Sequence, residues 1–396
     1  MTSKTPPTTR SLSLILCWLV VVLDGFDLVV LGAVIPTLLA TGDAGFNAGA
    51  ATLVATTGLV GVGLGAITVG PLADRYGRRG PLTACVALFS LCTLGIAFAP
   101  SVLAFGLLRF LAGVGLGACL PVALAAVSEF VPEHWTGRST TLTMTGYHTG
   151  AVLTALLALV IIPEWRWMFA IGGIAGLVLL PVLWFLLPES ARLAASRDGR
   201  APSGGTVRAL VRGRFLRVSL GVWLASFMGL LLVYGLNTWL PQLMATAGYA
   251  TADALVFLLV LNVGAVTGLL IAGWLADARG PRRVALIWFG LAAVFLALLS
   301  IRVEAVVLLF VAVFITGVFV YPPETRATAL GYAAGLGRLG AIAGPAVTGL
   351  LVTLGQAYPG SFYVFALTAV VAAIGVAIVP PLASASDAPL PVADAA

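Results

Sequence analysis

The chain has 396 residues, 60% of them hydrophobic and 9% charged, with a mean hydropathy of +1.10. Soluble domains carry about 25% charged residues, so too few charges are present to coat a water-facing surface, and a soluble enzyme is excluded. The net charge of +6 does not point to nucleic acid either, because the basic residues sit in short loops between apolar runs.

A membrane-spanning helix needs about 20 apolar residues, and twelve apolar runs follow one another along the chain. They cover 12–40, 50–72, 81–100, 102–131, 138–162, 166–187, 218–246, 252–276, 284–301, 304–320, 327–354 and 361–383. The first run is too long for a signal-peptide core and has no clear small-residue cleavage site, so it is predicted to be the first membrane helix. Residues 1–11 form a polar arm. Residues 12–187 and 218–383 form two six-helix bundles, 188–217 a basic central loop, and 384–396 a tail rich in Ala and Pro. Arm and tail lack the apolar content to fold by themselves. Cys17, Cys85, Cys92 and Cys119 lie within apolar runs without metal-ligand or C-x-x-C spacing, and read as small core residues. The predicted architecture is an all-α membrane protein of twelve helices.

Loop charge predicts orientation. With the N-terminus in the cytoplasm, Lys4, Arg10, Arg75, Arg78, Arg79, Arg138, seven arginines of the central loop, Arg279, Arg282, Arg283 and Arg326 all fall on the cytoplasmic side. Only Arg166 and Arg302 fall on the other. By the positive-inside rule both termini are cytoplasmic.

The two halves repeat. Gly70-Pro-Leu-Ala-Asp74-Arg-Tyr-Gly77 reappears as Gly273-Trp-Leu-Ala-Asp277-Ala-Arg-Gly280, and Pro36 and Gly113 match Pro241 and Gly317 at nearly the same offset. Two halves repeated in one orientation are the pattern of a rocking secondary transporter with its site between them. Further on, Pro132 matches Pro322 and Gly150 matches Gly340 at a shorter offset, so residues present after Gly113 have no counterpart after Gly317. Helix 10 is thereby left with about 17 residues, roughly 25 Å long, against a hydrocarbon core of about 30 Å. It is either stunted or completed by residues of the following loop.

Ionisable groups inside membrane helices cost about 2.5–3.5 kcal/mol each and mark function by default. Helix 1 holds Asp24 and Asp27, three apart and so on one face. Arg109 on helix 4 lies at nearly the same depth, which makes an Asp24–Arg109 or Asp27–Arg109 pair an expectation. Arg338 on helix 11 and its repeat partner His148 on helix 5 are expected to face each other across the pseudo-twofold axis. Arginine is the natural bidentate partner of a carboxylate, and a desolvated aspartate is suited to proton uptake and release. These five residues are the candidates for substrate and proton binding. Phe26, Tyr147, Trp239 and Tyr332 are candidate stacking partners for a ring.

The loop motifs point to gating. Asp74 is expected to accept N–H groups at a neighbouring helix N-terminus, and Arg75, Arg78, Arg79 and Arg138 to pair with acids such as Glu129. Asp277 and Arg282 repeat the arrangement in the second half. The glycines of helices 2, 4 and 11 read as close-packing positions. No metal-ligand cluster and no nucleophile–base pair is present, which argues against an enzyme.

Gly70-x-Leu-Ala-Asp74-Arg-x-Gly77-Arg78-Arg79, the run Arg109-x-x-x-Gly113-x-Gly115-x-Gly117 and the twelve-helix plan resemble the major facilitator superfamily over nearly the whole chain. Asp24-Gly-Phe-Asp27, Tyr321-Pro-x-x-x-Arg326-Ala-Thr and Gly335-x-Gly337-Arg338-x-Gly340 resemble the aromatic acid:proton symporters, importers of acids such as 4-hydroxybenzoate and protocatechuate. The resemblance implies that Asp24 and Asp27 are essential for uptake, and that Arg109, Glu129, Arg326 and Arg338 matter for substrate or conformational cycling. The expected protein is a proton-coupled importer of a small aromatic carboxylate, working by alternating access. It uses no cofactor beyond the proton gradient, no metal and no nucleic acid, and works as a monomeric unit in the inner membrane. A proton-antiport exporter of the same fold is the alternative, as is a transport-impaired sensor with a shortened helix 10.

Overall fold

The computed structural model describes residues 7–189, 214–303, 305–320 and 330–380. The arm before residue 7, the central loop from 190 to 213 and the tail after 380 lie outside them. Among the described residues the chain forms twelve long helices. The first six are α1 (Pro7–Thr41), α2 (Ala48–Tyr76), α3 (Arg79–Ile96), α4 (Val102–Phe130), α5 (Glu133–Ile161) and α6 (Trp165–Leu186). The second six are α7 (Arg214–Thr246), α8 (Thr251–Arg279), α9 (Pro281–Leu298), α10 (Val306–Val320), α11 (Leu330–Thr353) and α12 (Gly360–Ile378). Ten of these are long and apolar enough to cross a membrane.

Helix ends follow local chemistry. Asn47 caps α2 by accepting the Ala50 N–H at 2.9 Å, and Ser101 caps α4 through the Ala104 N–H at 3.3 Å. The repeated Leu-Ala-Asp motif ends both times in a glycine of positive φ, Gly77 at 90° and Gly280 at 85°. A side chain is strained there, which is why glycine recurs at that step.

Helix α10 has 15 residues, about 22 Å at 1.5 Å per residue, short of a ~30 Å core. Residues 321–329, which would complete it or link it to α11, lie outside the described residues.

Packing repeats with the sequence. In the first half α1 packs on α5, α2 on α4, and α3 on α4 and α6; in the second α7 packs on α11, α8 on α10, and α12 on α7 and α9. The glycines serve as predicted. A Cβ on Gly61, Gly65 or Gly117 would collide with backbone of the facing helix of the α2–α4 pair, and one on Gly264, Gly268 or Gly317 would do so between α8 and α10. The halves meet through α2 against α11, α5 against α8 and α1 against α7. All four cysteines are buried in the first half. The outward surface carries large exposed apolar side chains, Trp135, Trp167, Trp184 and Trp274 among them, as a lipid-facing bundle requires.

Candidate substrate and proton site

The Asp24-Gly-Phe-Asp27 segment owes its glycine to packing. A Cβ on Gly25 would fall on the Tyr147 carbonyl of α5, and one on Gly150 would fall on backbone of α1. The two helices therefore touch backbone to backbone at the level of the aspartates. Phe26 turns toward α6, its ring against Gly172. It is a packing residue of the first half, which removes it from the candidate stacking partners.

Of the two pairings open in the sequence, the structure forms Asp27–Arg109. Arg109 Nη1 donates to Asp27 Oδ1 at 3.0 Å and Nη2 to the Asp27 carbonyl at 2.5 Å, while Thr93 of α3 donates to the same Oδ1 at 3.0 Å. Both charged side chains are almost wholly buried, at 5% and 2% exposure. A pair this deep is held by each partner cancelling the other's desolvation. Asp27 Oδ2 accepts no hydrogen bond from the described residues.

Asp24, one turn earlier, is equally buried, and its Oδ1 has no partner among the described residues. The charges that act on it are those of Arg338 and Asp27. Arg338 is half-buried on α11, and its guanidinium donates to the hydroxyl of Tyr234 on α7 at 3.5 Å. A cavity of about 20 Å³ between α1, α2, α4 and α7 is lined by Arg109, Tyr234 and Thr238 together with apolar side chains. That volume suits a single water molecule and is far below an aromatic ring.

His148 does not meet Arg338 as a symmetric counterpart; the two repeat-related groups take different partners. His148 Nδ1 lies 3.4 Å from Asn262 Oδ1 on α8, bridging the halves. Asn262 is fully buried, and its amide donates to Asn237 Oδ1 at 2.9 Å and to the Leu258 carbonyl at 3.0 Å. With both amide hydrogens used, it is the Asn262 carbonyl that faces the imidazole. Asn237 in turn donates to the Val233 carbonyl at 2.9 Å. Tyr147 stands edge-on to His148, with ring centroids 5.1 Å apart. Trp239 is fully buried and donates to the Pro345 carbonyl at 3.0 Å, so it too serves packing. The Tyr332 side chain lies outside the described residues.

The predicted gating residues are used unequally. Arg78 pairs with Glu129 at 3.1 Å, both side chains buried. The N–H groups at the start of α3, on Arg78 and Arg79, donate to Glu189 Oε1 at 3.0 and 3.4 Å. Glu189, which sequence reading passed over, thus caps the α3 N-terminus. Arg79 lies over the Trp184 ring, Arg75 over Tyr76 and Arg138 over Trp135. Arg282 takes no acid partner among the described residues: its Nε and Nη2 donate to the Val379 and Ala377 carbonyls at 2.6 and 3.0 Å. It closes the C-terminal end of α12, where orphan carbonyls favour a cation. These described pairs join elements of one half and do not cross between halves. The side chains of Asp74 and Asp277, and all of Arg326, lie outside the described residues.

Sequence reading also missed Thr93, Tyr234, Asn237 and Asn262. The two asparagines carried a signal, since an amide in an apolar run needs an interhelical partner. Tyr234 and Thr93 carried none, both being ordinary in membrane helices.

The geometry agrees with comparison to known proteins. A family model described as Major Facilitator Superfamily matches residues 17–321 and 263–394. The gentisate transporter of Corynebacterium glutamicum is 35% identical over 394 residues, covering 93% of this chain and 87% of that protein. The gallate transporter of Pseudomonas putida is 34% identical, covering 92% and 90%, and the benzoate transport protein of Acinetobacter baylyi is 31% identical, covering 92% and 88%. The xylose transporter XylE from E. coli, in a partially occluded inward-open conformation, shares the fold with a TM-score of 0.77 at 20% identity over 93% of this chain and 97% of its own. With its paired half-bundles, its buried helix charges and these relatives, the chain is a multi-pass membrane protein and a transporter rather than an enzyme, and it belongs to the major facilitator superfamily.

Proposed function

We propose that the protein imports small aromatic carboxylates together with protons, by alternating access. The observation that carries this reading is the unequal commitment of two arginines inside the bundle, Arg109 buried and Arg338 half-buried. Arg109 is held by the Asp27 carboxylate and carbonyl, with Thr93 donating to the same carboxylate, whereas among the described residues Arg338 has only the neutral Tyr234 hydroxyl at 3.5 Å. Arg338 is therefore the guanidinium left to grip a substrate carboxylate bidentately. Asp24 supplies the coupling. Its charged form competes with substrate for Arg338, whose charge reaches it, and its protonated form releases Arg338. A proton on Asp24 and a carboxylate on Arg338 then favour each other, which is the linkage a symporter needs.

Gentisate, gallate and benzoate, named for the relatives, are all aromatic carboxylates and support that substrate class. The loop-charge asymmetry supports an inner-membrane orientation with both termini cytoplasmic. Each chain carries both halves, so the monomer is the functional unit, and the proton gradient is the energy source without any cofactor.

The test is uptake of radiolabelled benzoate and gentisate into cells producing the protein, with and without an uncoupler. Accumulation abolished by the uncoupler, lost in Arg338→Gln and made insensitive to the gradient in Asp24→Asn, is the expected result. Accumulation that ignores the proton gradient in the unaltered protein would sink the coupling, and full uptake by Arg338→Gln would sink the carboxylate assignment.

A further inference from the structure

Away from the central site, α3 and α6 enclose a groove of about 370 Å³ on the lipid-facing surface. Its floor on α3 is Gly80, Ala84 and Ala87, and its wall on α6 includes Pro181, Trp184 and Phe185. Trp184 is 50% and Phe185 78% exposed, so in a bilayer these rings and the groove between them meet lipid. Thr83, which also lines it, donates its hydroxyl to the Arg79 carbonyl at 2.8 Å, leaving the interior apolar.

One end of the groove is charged. Arg79 opens α3, and its guanidinium lies over the Trp184 ring, 5.2 Å from the centroid. Its side chain is 35% exposed, and the nearest carboxylate oxygen is Glu189 Oε2 at 3.8 Å, beyond the ~2.7–3.2 Å range of an N–H···O bond. Glu189 thus forms a long ion pair with Arg79 through Oε2 while its Oε1 accepts from the α3 N-terminus. Among the described residues the Arg79 guanidinium therefore makes no hydrogen bond. A planar fork of donors stands over an apolar slot beside a tryptophan of the kind found at the headgroup level.

We propose that this groove binds an anionic phospholipid, with an acyl chain along Gly80, Ala84 and Ala87 and the headgroup phosphate on Arg79. The slot from residue 80 to 87 runs about 10 Å along the helix, which takes the upper part of one acyl chain. The guanidinium suits phosphate bidentately, and an anionic headgroup adds charge that a zwitterionic one cancels. Because the α3 N-terminus, Glu189 and Arg79 meet here, a bound lipid would also brace the loop between α2 and α3.

Native mass spectrometry of the full chain in detergent, with palmitoyl-oleoyl phosphatidylglycerol or phosphatidylcholine at equal mole ratio, tests the site. Phosphatidylglycerol should be retained at least tenfold better than phosphatidylcholine, and Arg79→Gln should remove the preference. Gly80→Leu supplies a second arm that keeps Arg79: a Cβ there meets nothing within 4 Å, leucine is a better helix former than glycine, and the side chain fills the slot. It should lower phosphatidylglycerol retention while lipid-free thermal unfolding stays unchanged. Quenching by acyl-brominated phosphatidylglycerol should fall in Trp184→Phe. Equal retention of both lipids by the unaltered protein, or a preference surviving both Arg79→Gln and Gly80→Leu, overturns the proposal.

Discussion

Arg109 and Arg338 carry the same side chain inside the helix bundle, and their surroundings give them different tasks. Arg109 meets the Asp27 carboxylate and carbonyl within 3.0 Å, Thr93 donates to that same carboxylate, and removing either charge leaves the other buried and unpaired. Such losses cost about 3–5 kcal/mol, whereas neutralising both partners together costs much less. Asp27→Asn and Arg109→Gln should each lower the midpoint of thermal unfolding in detergent sharply. The double variant should recover most of that loss yet remain inactive in uptake. A double variant no more stable than the worse single one would show that the pair is not the source of the stability. The charged members of this site were legible in the sequence because charge is scarce in apolar runs. Tyr234, Thr93, Asn237 and Asn262 were not, because a hydroxyl or amide takes its role from the helix that faces it.

At the scale of elements, the two arginines that break the charge asymmetry of the loops, Arg166 and Arg302, have structural work. Arg166 donates to Asp43 at 3.1 Å and to the carbonyls of Ala97 and Ala99 at 3.3 and 3.4 Å, tying the loops after α1 and α3 to the first turn of α6. Arg302 lies against Gly248 in the loop after α7. Asp43 also accepts the Trp165 indole N–H at 3.0 Å. Partial burial acts to raise the Asp43 carboxyl. The Trp165 hydrogen bond, the Arg166 charge and the Ala44 N–H outweigh it and hold the pKa below the usual carboxylate value. A depressed pKa means that the ionised form stabilises the fold. The contribution is complete above the ordinary value near ~3.9 and fades as pH falls through the lower native one. The unfolding midpoint of Asp43→Asn should therefore lie below that of the unaltered protein from pH 8 to 5, with the gap closing below about pH 4. The half-exposed setting makes the gap a modest one. A gap constant down to pH 3 would place the effect in packing alone.

Across the whole molecule, the repeat sets two similar half-bundles together while their interiors differ. The position corresponding to Arg109 in the second half is Val313, fully buried, so the ion pair belongs to one half and the loosely held Arg338 to the other. The halves approach closely where α1 ends: a Cβ on Gly349 of α11 would run into the Thr52 side chain of α2. Alternating access requires that contact to part. Thr52→Cys combined with Gly349→Cys should form a disulfide on oxidation, cut uptake at least tenfold, and regain it on reduction. Unimpaired uptake by the fully oxidised protein would show that this end does not open.

Composition and order along the chain by themselves determined the membrane location of the protein, its twelve helices, its doubled architecture and the rare charges of its centre. Each follows from local physics: apolar length, loop charge and the cost of an ion in hydrocarbon. Tertiary structure alone decided that Asp27 and not Asp24 holds Arg109, that His148 reaches Asn262 and not a counterpart of Arg338, and that Glu189 accepts the N–H groups at the α3 terminus. Those outcomes depend on which faces of distant helices meet, set by close backbone contacts such as Gly25 on Tyr147 and Gly150 on Val22. Helical spacing within one segment carries no record of its partner.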